Sequence, residues 1–181
     1  MHMSQTAKPR SEEVASEALA FETVYQRLAG PVYRFCLTQV GGPSAAEEVA
    51  ADAWAAAWTA FERTHPTADR VDAWVFRIVR NTAKNHLRSV RRRLRLWVAL
   101  TNERVPVADV EVKVVERAAA AAALTSLQTM RPRERALIGL HVCSDLSFAE
   151  IGAVMGCSET AARVATHRAL LRLRTHMEGL P

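Results

Sequence analysis

A stretch of basic residues at helical spacing carries the most specific chemistry in this chain. Between Arg77 and Arg95 there are eight basic residues and no acidic one. Six of them lie along one side of a helix: Arg77, Arg80, Lys84, Arg88, Arg91 and Arg95. A merely solvated helix usually pairs such residues with Asp or Glu four positions away, and this one does not. The pattern favours a polyanionic ligand, foremost nucleic acid.

The other side of the same segment predicts how the helix is anchored. Its residues are apolar or small: Ile78, Val79, Thr82, Ala83, Leu87, Val90 and Leu94. Such a helix buries one face and presents cations on the other. A net charge of +5 and a sequence pI of about 9.6 agree with a polyanionic partner, although neither determines a fold.

A second candidate nucleic-acid-binding unit lies between residues 147 and 174. Ser147 and Glu150 have the spacing of a capping box, and Gly156 suits a left-handed helix end. Ser158 can cap the next helix, while small Gly152 permits close helix approach. We expect the packing between the helices to come from Ile151, Met155, Val164 and Leu171. The second helix carries Arg163, Arg168, Arg172 and Arg174. The pattern predicts a helix-turn-helix, and an ordinary helical hairpin is the alternative.

Helical periodicity covers most of the remaining chain, so we predict an all-α protein. The spacing predicts a first amphipathic helix over 21–40, ended by two glycines and Pro43. Ser44 and Glu47 have the capping-box form and predict a helix to about residue 62. Pro66 breaks this pattern before the basic helix. Three later helices are predicted over 116–130, from about 133 to 142 after Pro132, and from 159 to about 176.

The helices divide into two small domains. Periodicity weakens after the basic helix, and Pro106 interrupts the chain there. We predict a flexible N-terminus over 1–17, a helical domain over 18–95, a linker over 96–115 and a helix-turn-helix domain over 116–178.

Several function classes are disfavoured by what the sequence lacks. Cys36, Cys143 and Cys157 form no CxxC pair, which argues against a disulfide framework and indicates a reducing cytoplasm. The histidines do not group with cysteines at ligand spacing, so we expect no metal and no cofactor. No apolar run is long enough to span a bilayer, so membrane insertion is not expected. A nucleic-acid enzyme would need a carboxylate cluster, a glycine-rich phosphate loop or a nucleophile with its base, and we expect no catalytic residue.

Three segments in order resemble the extracytoplasmic-function (group IV) bacterial sigma factors. AEEVAADAWAAAWTAF at 46–61 resembles the helix by which that family binds core polymerase. VDAWVFRIVRNTAKNHLRSVRRR at 71–93 resembles its promoter-melting and minus-ten helix. LSFAEIGAVMGCSETAARVATHRALLRLR at 146–174, preceded by RPRERALIGL, is similar to its minus-thirty-five helix-turn-helix. The resemblance implies a region 2-like bundle and a region 4-like domain.

The resemblance also implies roles for individual residues. Glu47, Glu48 and Asp52 would face basic residues on the polymerase clamp, although acidic residues near a helix start also compensate its dipole. Trp54, Trp58, Phe61, Trp74 and Phe76 are expected in the domain core. The loop residues implied in minus-ten contact, where the family extrudes a base, are Arg63, His65, Thr67 and Asp69. The helix residues implied along the same strand are Arg77, Arg80, Asn81, Lys84, Asn85 and Arg88.

The second helix of the helix-turn-helix departs from the family at Ala161, Ala162, Val164 and Ala165. The residues left for minus-thirty-five contact are Ser158, Glu159, Thr160, Arg163, Thr166, His167, Arg168, Arg172 and Arg174. Arg163 is placed to contact base edges, and Arg172 and Arg174 phosphates.

The sequence therefore predicts a cytoplasmic sigma factor without enzymatic activity of its own. Its partners would be RNA polymerase core, through the clamp and flap regions, promoter DNA and an anti-sigma factor. The alternative is a dimeric helix-turn-helix regulator that acts without polymerase core. A response regulator would share 131–174, but the N-terminal half lacks the strand-helix alternation of a receiver domain.

Overall fold

The computed structural model describes the backbone over 10–101 and 115–178, with side chains over 21–96 and 120–178. Within these ranges every regular element is a helix, which confirms the predicted all-α fold. The helices are α1 (Arg10–Val40), α2 (Pro43–Thr64), α3 (Val71–Thr101), α4 (Val115–Thr129), α5 (Pro132–Cys143), α6 (Phe148–Met155) and α7 (Glu159–Glu178).

The first three helices form a bundle around a core of branched and aromatic side chains. Val32 and Phe35 from α1, Val49 from α2, and Val75 and Phe76 from α3 are fully buried. A second aromatic group joins the far ends of these helices through edge-to-face contacts centred on Phe21, namely with Trp54, Trp58 and Phe61. Phe61 in turn meets Trp74 at 6.1 Å between ring centroids. Phe61, Trp74 and Phe76 are buried as predicted and Trp54 is partly buried, but the prediction is wrong for Trp58, which is 38% exposed at the edge of this aromatic group.

Helix ends differ from the predicted boundaries at three places. α1 begins at Arg10, inside the segment assigned to a flexible N-terminus. α3 continues to Thr101, so the predicted linker starts as helix, and 102–114 lie outside the described residues. Ser44 is not the N-cap of α2, because the helix starts at Pro43 with Gly42 in the capping position and no side-chain cap. Proline fixes the backbone angle of a first helical turn, and this starts the helix one residue earlier.

The predicted helix-turn-helix is present in α6 and α7. Ser147 Oγ accepts a hydrogen bond from the Glu150 amide, and Glu150 Oε2 accepts one of 2.7 Å from the Ser147 amide, which confirms the capping box. Gly156 ends α6 with a φ of 70°. A Cβ on Gly152 would lie 2.7 Å from the Cys157 carbonyl oxygen, so only glycine permits this close turn.

The packing face of α7 is not the one expected. Ile151 and Met155 are buried as predicted, but Val164 and Leu171 are 43% and 52% exposed. The buried stripe consists instead of Ala162, Thr166 and Ala169. Small side chains at four- and three-residue steps allow α7 to lie close to its neighbours, and this turns the larger apolar residues outward.

The two groups of helices pack against each other through α1 and α5. A Cβ on Gly139 of α5 would lie 2.5 Å from Thr38 Oγ1 and 3.0 Å from Phe35 Cδ2, both on α1. Hydrogen bonds cross the same boundary: Gln128 Nε2 donates to the Thr38 carbonyl at 2.9 Å, and Gln39 Nε2 to the Arg135 carbonyl at 3.4 Å. One continuous buried cluster therefore joins the domains, a closed arrangement that the sequence did not predict.

Candidate nucleic-acid interface

The basic stripe on α3 is anchored by the bundle over only part of its length. Val79 and Ala83 are buried, as predicted for the opposite face, while Val90 and Leu94 are exposed. The last turns of α3 therefore project beyond the N-terminal bundle. Most of the stripe is solvent-exposed, whereas Arg80 is half-buried. Burial and the charge of Arg133 lower the pKa of the Arg80 guanidinium.

The loop between α2 and α3 has a defined backbone shape. His65 closes α2 in the left-handed conformation at φ 43°, and its amide donates to the Phe61 carbonyl at 3.0 Å. A hydrogen bond from Thr67 lowers the pKa of the Asp69 carboxyl. Among the residues predicted for minus-ten contact, the loop set Arg63, His65, Thr67 and Asp69 is exposed, and so are Arg77, Asn81, Lys84, Asn85 and Arg88 on α3. The structure brings Thr67, Asp69 and Arg77 of this set together around one cavity, and the role of the whole set in DNA contact stays a prediction.

A cavity of about 550 Å³ opens beside this loop. Thr67, Asp69 and Arg70 form part of its rim, with Trp74 and Arg77 of α3 behind them. The opposite wall is α6, through Ala149, Glu150, Ala153 and Val154. In the closed arrangement the helix-turn-helix therefore covers the surface predicted to hold an extruded base.

The acidic residues predicted for polymerase contact lie on the outer face of α2. Glu47, Glu48 and Asp52 are exposed, while the neighbouring Val49 and Ala53 are buried. Glu48 approaches the His86 ring, with 3.9 Å between Oε1 and Nδ1. Within the described part of the chain, Glu47 and Asp52 make no ion pair. Their charges are available to a partner.

Residues at the start of α7 are arranged for contact with a groove, with one correction. Ser158 Oγ accepts a hydrogen bond from the Ala161 amide at 3.2 Å and so caps the helix as predicted. Glu159, Thr160, His167 and Arg168 are exposed. Thr166 is only 1% exposed, because it belongs to the buried stripe, and its side chain has no surface to offer DNA. We therefore remove Thr166 from the predicted contacts.

Three arginines of α7 already have partners in this structure. Arg163 forms an ion pair with Glu159, and its guanidinium carbon lies 5.4 Å from the centre of the Phe148 ring. Arg172 pairs with Glu134 at 2.8 Å, and Arg174 with Glu178 at 2.7 Å. The pairs of Arg163 and Arg174 are solvent-exposed and individually weak, so these arginines can exchange their partners for DNA, whereas Glu134, the partner of Arg172, is only 16% exposed.

Sequence reasoning missed the basic residues that flank Pro132. Arg131 and Arg133 stand at the start of α5, where the helix dipole disfavours cations. Only Glu134 in this turn compensates, and it also binds Arg172. The sequence signal that could have identified them is a pair of arginines at a helix N-terminus, because such an arrangement is unfavourable unless an anion binds there.

The described residues contain no group of side chains with the composition of a metal site. The same part of the chain holds no helix long and apolar enough to cross a membrane.

Comparison with known proteins supplies the remaining observation. The family model of Sigma-70 region 2 matches residues 24–93, and that of Sigma-70 region 4 matches residues 120–173. The chain is 29% identical over 163 residues to the ECF RNA polymerase sigma factor BldN of Streptomyces coelicolor. That match covers 88% of this chain, and the chain spans 61% of the length of BldN.

Two further matches agree in extent. SigL, an ECF RNA polymerase sigma factor of Mycobacterium tuberculosis, is 27% identical, covering 94% of this chain and 96% of SigL. The solved structure of the sigma factor RpoE in complex with the anti-sigma factor NepR from Bartonella quintana has a TM-score of 0.70 at 18% identity. It covers 90% of this chain and 99% of that chain, which shows a shared fold.

Proposed function

The chain belongs to the extracytoplasmic-function family of RNA polymerase sigma factors, and we propose that it binds polymerase core and directs promoter recognition, melting and transcription initiation. The observation that carries the proposal is the order of two matched domains, each with a predicted DNA-binding surface: the α3 stripe in the first and α7 in the second. The family consists of initiation factors, and we propose that this chain likewise has no catalytic activity. Its place of action is the cytoplasm, with the polymerase.

The exposed acidic face of α2 is the proposed contact with the polymerase clamp. Glu47, Glu48 and Asp52 project from one side of the helix, and two of them lack an intramolecular partner in the described residues. Charge complementarity at such a surface favours fast association and correct orientation. The flap is the proposed partner of the second domain. The exposed Val164 and Leu171 on α7 are available to it, since the core of that domain does not use them.

Minus-ten recognition is assigned to the loop cavity and the α3 stripe. Thr67 and Asp69 line a space bordered by the aromatic Trp74, and the exposed Arg63 and His65 lie at the end of α2 that leads into this loop. An extruded base would gain stacking and hydrogen bonds there that offset its unstacking. The stripe supplies cations to the phosphates of the same strand, and these contacts carry no sequence information.

Minus-thirty-five recognition is assigned to the exposed residues of α7. Ser158, Glu159, Thr160 and Arg163 occupy its capped start, where side chains reach base edges in a helix-turn-helix. His167, Arg168, Arg172 and Arg174 follow along the helix and are assigned to the backbone of the DNA.

This function requires the closed arrangement to open. The two promoter elements are separated by about 25 base pairs, or roughly 85 Å at 3.4 Å per base pair. In the closed chain α6 forms one wall of the minus-ten cavity, so the two DNA-binding surfaces lie too close together to reach both elements at once. An anti-sigma factor is the proposed partner that holds the chain inactive, and the complex of RpoE with NepR supports this by likeness of fold.

The test is run-off transcription with purified polymerase core on a library of promoters. We expect the chain to give defined start sites and core alone to give none. The rival reading, a dimeric helix-turn-helix regulator, needs no complex with polymerase in the absence of DNA. Failure of the chain to co-purify with core, under conditions where a known sigma factor does, would refute the proposal.

A further inference from the structure

A second cavity lies between the domains, away from the loop described above. Its volume is about 480 Å³, which is within the range of sites for small molecules. One wall is the α3 stripe, and the other is the first turn of α5 with Pro132, Arg133 and Ala136. Gln39 and Leu87 complete the lining. We call this space the interdomain cleft.

The interdomain cleft is lined by six cations and no acidic residue. They are Arg80, Lys84, Arg88, Arg91 and Arg95 from α3, and Arg133 from α5. None of the six makes an ion pair within the described part of the chain. Their proximity is also electrostatically unfavourable across the domain boundary: burial and then the charge of Arg133 lower the pKa of Arg80, and burial and then the charge of Arg91 lower the pKa of Arg135.

The chemistry of the lining selects one class of anion. Five of the six cations are arginines, whose planar guanidinium groups bind phosphate oxygens in pairs. An isolated small anion would leave most of these donors unused. A cleft of this volume also does not admit duplex DNA.

We propose that the interdomain cleft binds a compact polyphosphate, a chain of three or more phosphate groups that is either free or attached to a nucleoside. Its charges replace the repulsion between Arg133 and the stripe by attraction, so the ligand stabilises the closed arrangement. Because Arg80, Lys84 and Arg88 are also assigned to promoter DNA, the ligand and the promoter compete. Ligand binding itself does not depend on the proposed function, whereas the competition does.

The first test is calorimetric titration of the full chain with inorganic tripolyphosphate and, separately, with ATP. We expect saturable binding of one ligand per chain. Equal affinities would assign the site to the phosphate chain alone, and tighter binding of ATP would add a contact of the nucleoside with Leu87 or Pro132. Both outcomes support the proposal.

Matched variants separate a built site from general attraction. Arg91→Ala with Arg95→Ala removes two cations that line the cleft, and we expect at least a tenfold loss of affinity. Arg92→Ala with Arg93→Ala removes the same charge from exposed positions of the same helix that do not line it, and should leave affinity within twofold. Equal losses in both variants would overturn the proposal, as would displacement of the ligand by sulfate at equal ionic strength.

A second measurement tests whether both domains form the site. Arg133→Ala, the contribution of α5, should also weaken binding at least tenfold. Bound tripolyphosphate should slow the chemical labelling of Cys143, a buried thiol of α5 at the domain boundary. Unchanged affinity in Arg133→Ala together with unchanged Cys143 labelling would place the ligand on α3 alone and refute an interdomain site. Neither measurement uses polymerase or DNA, so its failure would leave the proposed function standing.

Discussion

Gly139→Ala should act as a wedge that opens the closed arrangement. The added methyl group would lie 2.5 Å from Thr38 Oγ1 and 3.0 Å from Phe35 Cδ2, and both side chains are buried on α1. Overpacking of this kind costs about 1–3 kcal/mol, which raises the open population about 5- to 150-fold. Within α5 the same change removes a helical glycine, and this stabilises the isolated helix by up to about 1 kcal/mol. The variant therefore distinguishes contact between the domains from the stability of α5, because the added methyl group weakens the first and strengthens the second.

Thiol labelling followed by mass spectrometry of the peptides measures this opening. Cys143 is buried beside α1, and burial raises the pKa of its thiol, so the closed chain should react slowly. When closing is faster than labelling, the rate reports the open population. We expect Gly139→Ala to accelerate labelling of Cys143 within the range above.

Val142→Ala is the matched control, since Val142 is 67% exposed on the same helix and the change also raises helix propensity without adding an atom. It should leave the labelling of Cys143 as in the parent chain. An unaltered Cys143 rate in Gly139→Ala, with the circular-dichroism melt unmoved or raised, would show that α1 and α5 are not in tight contact in solution.

Four further outcomes are expected. Replacing Arg80 and Lys84 together by Ala should weaken promoter complexes at all sequences alike and reduce the salt dependence by roughly one to two units of slope, measured by filter binding across salt concentrations. Asp52→Arg should lower the affinity for polymerase core by a few kcal/mol in a competition assay through like-charge contact, while the thermal melt stays unchanged. Arg163→Ala should relax preference at one or two minus-thirty-five positions, worth about 1–3 kcal/mol of discrimination, in selection from a randomised element. Burial raises the pKa of the Cys36 thiol to about 12, so its contribution to the free energy of unfolding is complete below the unfolded thiol pKa and is lost as pH rises from there through the folded pKa. Cys36→Ala should therefore flatten the alkaline decline in stability measured by denaturant titration.

Each of these has an outcome that contradicts its reasoning. An unchanged salt dependence of promoter binding would show that the α3 stripe does not contact phosphates. If the Asp52→Arg variant still competes for polymerase core at the same concentration as the parent chain, Asp52 is only a solvated helix residue. An identical consensus for Arg163→Ala would give that arginine a backbone role and move specificity to Glu159 or Thr160. A decline equally steep in Cys36→Ala would assign the alkaline effect to other groups.

Local structure was predictable because its causes are local. The capping box at Ser147, the left-handed Gly156 and the cap at Ser158 all depend on residues a few positions apart, and all three are confirmed. The wrong N-cap prediction at Ser44 also has a local cause, because the proline one residue earlier starts the helix. The exposure of the predicted site residues on α2 and α3 was predictable from helical periodicity.

Domain packing was not predictable, because the residues that form it look like surface residues in the sequence. Thr38, Gln39 and Arg135 are polar positions, and only the close approach of α1 and α5 buries them. The same is true of α7, where Thr166 is buried while Val164 is exposed. Hydropathy cannot anticipate a contact that selects for small size, as at Gly139 and Ala162, rather than for apolar character.

The buried guanidinium of Arg135 has a consequence for how sharply this protein responds to its surroundings. Arg135 is 4% exposed, it donates to the Gln128 carbonyl and side-chain oxygens at 3.3 and 3.0 Å, and Nε has no partner in the described residues. Arginine does not give up its proton at any physiological pH, so this charge cannot be neutralised and its burial in the closed chain costs free energy. Closure therefore gains less free energy than its apolar contacts alone would give. A shallow balance of this kind amplifies weak inputs, because a ligand that favours one state by about 1.4 kcal/mol changes the ratio of states tenfold.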